Sequence, residues 1–342
     1  MSITHLVRPN ILSLTPYSSA RSEYKGRADI FLDANESPYD TGYNRYPDPL
    51  QWKLKEKIGA LKGIAPEHIF LGNGSDEAID LLIRIFCEPG RDRILTLPPT
   101  YGMYQVSADI ANVGVQGILL DQRFQPVVSD ILRAADENAK LLFLCSPNNP
   151  TGNSFPLAAI RELASNFPGI VVVDEAYIDF SSQPSCLTLL GQHPNLVVMQ
   201  TLSKAWGLAG IRLGMAFAAE EIIGLLNKVK PPYNVNQLTQ EAALQALGEP
   251  ERQAAQVREV LGQRSLLAQH LSGLEFVRRI YSSDANFLLV QVDDPQAVYR
   301  FLAQRGIIVR DRSSAPRCEG CLRITVGRPE ENEQLFRALL EY

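Results

Sequence analysis

Six short apolar runs constrain the fold more than any other feature of the chain: Ile69-Phe70-Leu71, Ile94-Leu95-Thr96-Leu97, Leu141-Leu142-Phe143-Leu144, Ile170-Val171-Val172-Val173, Leu196-Val197-Val198-Met199 and Gly214-Met215-Ala216-Phe217. They are continuous rather than alternating, so strands made from them must be covered on both faces. Helical patterns separate them. Ile79, Leu82, Ile83 and Phe86 recur at helical spacing behind Ser75-Asp76-Glu77, a polar helix start. The combination predicts an α/β fold, a mostly parallel sheet between helices. Ligands of such sheets bind at the carboxyl ends of the strands.

A chain of 342 residues exceeds what one hydrophobic core usually organises. The run pattern holds over residues 29–230, read as the large domain, and changes after Lys228-Val229-Lys230-Pro231-Pro232. Residues 231–342 carry a long helical stretch interrupted near Gly248-Glu249-Pro250, then Ala285 to Val290, Gly306 to Arg310 and Cys321 to Val326. These read as a smaller α/β domain. Residues 1–28 are expected to form an N-terminal segment packing on that small domain.

A formal net charge of -5 gives no electrostatic reason to expect nucleic acid or anionic membrane as a partner. No apolar run approaches the roughly 20 residues that span a bilayer, and the N-terminus lacks the apolar core of a signal peptide. A cytoplasmic protein is expected. The five cysteines read as reduced. Cys318-Glu319-Gly320-Cys321 has zinc-like spacing but no second ligand pair, so no metal is expected.

The polar motifs fall where strands end. Thr201-Leu202-Ser203-Lys204 follows the fifth run, and Gly207, Gly210 and Arg212 follow closely. A lysine amine condenses with an aldehyde only when unprotonated, and partial desolvation beside another cation favours that state. Thr201, Ser203 and Arg212 supply hydroxyls and a guanidinium fork for a phosphate. A surface lysine in a glycine-rich loop is the plainer alternative. Gly74-Ser75-Asp76 opens a helix and offers backbone N–H groups to the same phosphate. Asp174 ends a four-residue apolar run, where an unpaired carboxylate is costly. Opposite the pyridine nitrogen of a pyridoxal ring it would have a cationic partner; a structural salt bridge is the other reading. Asn149 and Tyr177 could reach the ring's phenolic oxygen, although Asn149 before Pro150 also suits an Asx turn. Tyr101 could lie on the ring or simply pack in the core.

Together these motifs resemble the fold-type I pyridoxal-phosphate aminotransferases, and among them the histidinol-phosphate group. The likeness includes Leu14-Thr15-Pro16-Tyr17, Asp33-Ala34-Asn35-Glu36-Ser37-Pro38, Arg45-Tyr46-Pro47-Asp48, Pro99-Thr100-Tyr101-Gly102-Met103-Tyr104, Ser146 to Gly152, Asp174-Glu175-Ala176-Tyr177, the Lys204 segment and Leu322-Arg323-Ile324-Thr325-Val326-Gly327. Trp206 stands where the resemblance suggests phenylalanine. The resemblance implies a seven-stranded sheet in the large domain and pyridoxal 5'-phosphate as cofactor. Catalytic roles fall to Lys204, Asp174, Asn149 and Tyr177, with Tyr101 stacked on the ring. Gly74, Ser75, Asp76, Thr201, Ser203 and Arg212 would surround the phosphate, joined by Tyr46 from the partner subunit of a homodimer with shared sites. For substrate it implies Arg323 on the carboxylate, Arg310 and Tyr17 on a substrate phosphate, and Asn35 as a further contact.

The implied reaction moves an amino group between L-histidinol phosphate and 2-oxoglutarate, a step of histidine biosynthesis. Aromatic amino-acid transamination would use the same cofactor residues and the same carboxylate arginine. Threonine-phosphate decarboxylation has similar lysine-loop motifs, but the Ala34 to Pro38 segment argues against it. A pyridoxal-binding transcription regulator would need a basic helix-turn-helix domain, for which there is no room.

Overall fold

All six apolar runs form strands. The computed structural model describes residues 3–17 and 29–342. Its larger sheet contains β1 (Ile69–Asn73), β2 (Arg93–Thr96), β3 (Gly114–Gly117), β4 (Ala139–Cys145), β5 (Ile170–Asp174), β6 (Leu196–Thr201) and β7 (Leu213–Ala218), in the order β1-β7-β6-β5-β4-β2-β3. The β2–β3, β2–β4, β4–β5 and β5–β6 pairs are parallel. β7 runs antiparallel to both β6 and β1. The seventh strand, β3, is Gly-Val-Gln-Gly at the sheet edge. It carries no apolar run because only one of its edges is paired and its faces are partly open.

Alternate residues of each run enter opposite cores. Leu142, Leu144, Val171, Val173, Leu196 and Val198 pack with Leu54, Ile58, Ile160 and Leu163 on one face. Leu141, Phe143, Ile170, Val172, Val197 and Met199 pack with Ile79, Leu82, Phe86, Tyr104 and Ile222 on the other. Helices Trp52–Lys62 and Leu157–Asn166 cover the first face; helices Ser75–Phe86, Met103–Ile110 and Glu220–Val229 cover the second. Each buried large apolar side chain contributes roughly 1.5–3 kcal/mol. The four valine and isoleucine side chains of β5 thus outweigh the cost of ending that strand on a buried carboxylate.

The helical stretch breaks as expected, into Gln237–Ala246 and Pro250–Ser272, with Pro250 at the first turn of the second helix. Val235, Ala243 and Leu247 still pack with Leu54 and Ile58 in the larger core. Beyond them lies a second sheet of β8 (Val277–Ile280), β9 (Phe287–Val292), β10 (Arg310–Asp311) and β11 (Cys321–Thr325), ordered β10-β11-β9-β8 and antiparallel throughout.

The N-terminal segment, expected against the small domain, sits elsewhere over the residues described. Ile3, Val7 and Ile11, four apart, are buried in the larger sheet's second core. Arg8 donates its backbone N–H to Ile85 O at 3.0 Å and pairs with Glu88 at 3.0 Å. Residues 18–28, including the Ser18 to Arg21 part of the segment assigned as an arm, lie outside the described residues.

Candidate active site

Five strand ends of the larger sheet meet β11 of the smaller one around a cavity of about 250 Å³. Gly74, Ser75 and Asp76 follow β1, Tyr101 follows β2, Asn149 follows β4, Asp174 and Tyr177 belong to the end of β5, and Thr201, Ser203 and Lys204 to the end of β6. All of them line the cavity, with Arg212 and, from β11, Arg323. The geometry is that of loops gathered at the carboxyl ends of parallel strands.

One wall is built for an oxyanion. Gly74 caps the twelve-residue helix Ser75–Phe86 with φ +75°, and a Cβ there would come within 2.5 Å of Arg212 Nη2, so the position demands glycine. Gly214 lets β7 lie directly beneath this turn, because a Cβ on it would collide with the Ser75 backbone nitrogen. First-turn N–H groups lack partners within their own helix and carry the positive end of its dipole. Arg212 faces them, with Nη2 held 3.3 Å from Asp76 Oδ2. Thr201 Oγ1 donates to Ser203 Oγ at 3.0 Å and accepts from the Ser203 N–H at 3.1 Å. The Asp76 carboxylate itself accepts from Arg212 and from the Tyr101 hydroxyl at 3.1 Å. That side chain orients the cup; the backbone N–H is what it can offer to a phosphate.

Asp174 is buried, and among the described residues no cation forms an ion pair with it. Its Oδ2 accepts from Tyr104 Oη at 2.8 Å and its Oδ1 from the Ala176 N–H at 3.1 Å. Burial pushes its carboxyl up to about 6, against the pull of those two donors. A carboxylate so placed suits a ligand that brings its own positive charge.

Lys204 Nζ lies 5.6 Å from the centre of the Tyr177 ring. Desolvation, and then the Arg323 charge, lower its pKa, although Asp174 and Asp76 oppose them. The amine is thereby shifted toward its nucleophilic form. Arg323 donates through Nη1 to Asn149 Oδ1, and its guanidinium lies 5.4 Å from the Phe287 ring centre. Phe287 packs edge-on to Tyr177, with centroids 5.2 Å apart. A fork suited to carboxylate or phosphate is therefore fixed in orientation before any ligand enters.

Four expected residues lie apart from this cavity. Tyr46 and Asn35 line a separate hollow of about 420 Å³, where the Tyr46 ring stacks on Tyr233 at 4.4 Å. Tyr17 is exposed, in another hollow with Pro49 and Lys230. Arg310 is exposed and stands opposite Arg323 in the β10–β11 register, without lining the cavity. Cys318 and Cys321 are free thiols buried in the core, and Trp206 packs against that core.

Two residues escaped sequence reasoning. Tyr104 anchors Asp174 and stacks on Phe143 at 4.6 Å. It lies on helix Met103–Ile110, and nothing in the local sequence ties it to Asp174. Arg312 lines the cavity. It stands two residues beyond Arg310, a spacing that shares one face of a strand.

Comparison with known proteins agrees with this geometry. Residues 29–339 match the family described as aminotransferase class I and II. The chain is 57% identical over 334 residues to histidinol-phosphate aminotransferase from Parabacteroides distasonis, covering 98% of this chain and 97% of that protein. It superimposes with a TM-score of 0.80 on the histidinol-phosphate aminotransferase of Clostridium acetobutylicum, at 23% identity and covering 87% and 90% of the two chains. The corresponding Sinorhizobium meliloti enzyme, solved in complex with pyridoxal-5'-phosphate, gives a TM-score of 0.80 at 24% identity, covering 87% and 82%.

Proposed function

The chain belongs to the class I and II aminotransferases, and from that premise we propose how its own residues perform the reaction. It transfers the amino group between L-histidinol phosphate and 2-oxoglutarate, a step of histidine biosynthesis, with pyridoxal 5'-phosphate as cofactor. The observation that carries this reading is the convergence of Lys204, Asp174 and Arg323 on one cavity from three strands of two sheets.

When bound, the cofactor supplies an aldehyde carbon for amines and a ring that takes up electron density. The residues present fit it. Arg212, Ser75, Thr201 and Ser203 would hold its phosphate, and the buried Asp174 carboxylate would accept the N–H of its protonated ring nitrogen. Lys204 contributes its uncharged Nζ as the attachment point. The same Nζ would be the base placed to take a proton from the donor's Cα, where a positioned base contributes typically 10²–10⁴-fold. Asn149 and Tyr177 would donate toward its ring oxygen. Arg323 holds the carboxylate of glutamate and, in the other half-reaction, the phosphate of the amino donor. Tyr101 would cover the ring, and Tyr104 holds Asp174 by its hydroxyl.

An amino-donor panel with 2-oxoglutarate as acceptor tests the substrate. L-Histidinol phosphate is expected to give the highest kcat/KM, at least tenfold above L-phenylalanine. A higher value with phenylalanine would move the chain to aromatic transamination, and release of carbon dioxide to decarboxylation.

Tyr46 and Asn35 lie outside the cavity of their own chain, and this supports a homodimer in which each chain lends Tyr46 to its partner's phosphate cup. Mixed dimers of Lys204→Ala and Tyr46→Ala chains are expected to regain about a quarter to a half of wild-type activity per mixed dimer, since one of two sites is whole. Absence of recovery despite verified subunit exchange would assign Tyr46 to its own chain. The reading also includes a cytoplasmic location and a division of the chain into a large domain over residues 29–230 and a small one over residues 231–342.

A further inference from the structure

Strands β10 and β11, with the residue that follows β10, bring three guanidinium groups together beside the smaller sheet. Arg310 is opposite Arg323 in the antiparallel register. Arg312, two residues on, keeps the pairing by donating its backbone N–H to Cys321 O at 2.9 Å, so strand alternation turns its side chain to the same face. The acid between them is engaged elsewhere: Asp311 Oδ1 accepts from the Ser313 N–H at 2.8 Å and from the Ser313 hydroxyl. Among the described residues no carboxylate pairs with Arg310, Arg312 or Arg323.

The three are not equivalent. Arg310 is exposed, while Arg312 and Arg323 are half-buried and line the cavity. Arg323 is tied through Nη1 to Asn149, whereas Arg312 Nε is buried with no hydrogen-bond partner in the chain. An unsatisfied buried donor is costly, and more so when charged. Burial first, then the charges of Arg323 and Arg310, lower the proton affinity of Arg312. Two like charges lining one cavity with no carboxylate between them call for a ligand bearing more than a single negative charge.

We propose that Arg312 is the second arm of a two-guanidinium clamp that selects the phosphate of the amino donor. Arg323 alone matches a carboxylate, which has two oxygens and one charge. A phosphate monoester carries close to two charges and three terminal oxygens, enough to engage both forks. Arg312 is then a specificity-determining residue that weights the site toward the phosphorylated substrate and takes little part in binding glutamate. The assignment rests on the reading of this site as one for L-histidinol phosphate.

Single-turnover half-reactions of the holoenzyme test it, with L-histidinol phosphate and L-glutamate measured separately for wild type, Arg312→Gln and Arg312→Lys. Inorganic phosphate serves as a competitive probe. Arg312→Gln is expected to weaken L-histidinol phosphate and inorganic phosphate by roughly 10- to 100-fold, through apparent affinity rather than maximal rate, as for loss of a charge-assisted contact. Its effect on glutamate should stay within about threefold, and Arg312→Lys should restore part of the phosphate affinity by retaining the charge. An equal or larger loss with glutamate, or undiminished affinity for L-histidinol phosphate, overturns the clamp. A wild-type enzyme that converts another amino donor but not L-histidinol phosphate overturns the functional reading itself, and the clamp with it.

Discussion

Lys204→Ala is expected to lower turnover by about four orders of magnitude or more, because in the proposed mechanism one atom, Nζ, is both the attachment point and the proton carrier. Reduction of the wild-type holoenzyme with borohydride, followed by mass analysis, should place the cofactor on the peptide containing Lys204 and leave the variant unlabelled. A label on any other lysine would end the assignment. Depressed basicity alone does not single out Lys204. Burial brings Lys55 and Lys230 down to about 8 as well. Yet Lys230 Nζ is occupied by Pro49 O at 2.7 Å and Pro232 O at 2.9 Å, and Lys55 is buried beside Trp52. Of the three, only Lys204 opens onto the cavity that holds Asp174 and the phosphate cup.

Asp174→Asn separates stability from activity. In the protein without cofactor, burial raises this carboxyl from an ordinary value near 4 to about 6. The folded chain therefore binds more protons at this group than the unfolded chain between those values. Its contribution is fully present below pH 4 and is lost as pH rises through 6, by about 3 kcal/mol for two pKa units. Denaturant unfolding of the wild-type apoprotein should show that decline, and Asp174→Asn should lack it. Turnover of the variant, by contrast, should fall by roughly two orders of magnitude or more, since the charge that complements the ring nitrogen is gone. A wild-type apoprotein with no excess pH dependence over the variant would mean that the carboxylate is adequately solvated or paired, and near-normal turnover would remove its catalytic role.

The large sheet was legible because its inner strands are buried on both faces, and such strands announce themselves as unbroken apolar runs. β3 was not, being Gly-Val-Gln-Gly with one paired edge. β8 was missed for a related reason: Val-Arg-Arg-Ile lies at the edge of the smaller sheet, with its arginines exposed. The N-terminal segment shows another limit. Ile3, Val7 and Ile11 mark an apolar stripe, but a stripe does not name the surface that receives it. In the site, residues carried by compact motifs at strand ends were found, since their chemistry and spacing coincide. Tyr104 and Arg312 act through a partner or a face that emerges only when separate segments meet. Tyr104 reaches Asp174 across 70 positions of sequence, and local pattern carries no trace of that contact.

The cavity draws its two kinds of chemistry from two separate sheets. The carboxyl ends of the larger sheet supply Lys204, Asp174, Ser75, Thr201 and Ser203, while β11 and the residue after β10 bring Arg323 and Arg312 to the cavity. Changes at Arg310 and Arg312 can alter which molecule is accepted while Arg323, whose charge acts on Lys204 and which holds Asn149, stays in place. The same scaffold can thus diversify its diet while its engine stays fixed, and libraries at residues 310–322, which leave Arg323 in place, are the economical place to look for new amino donors.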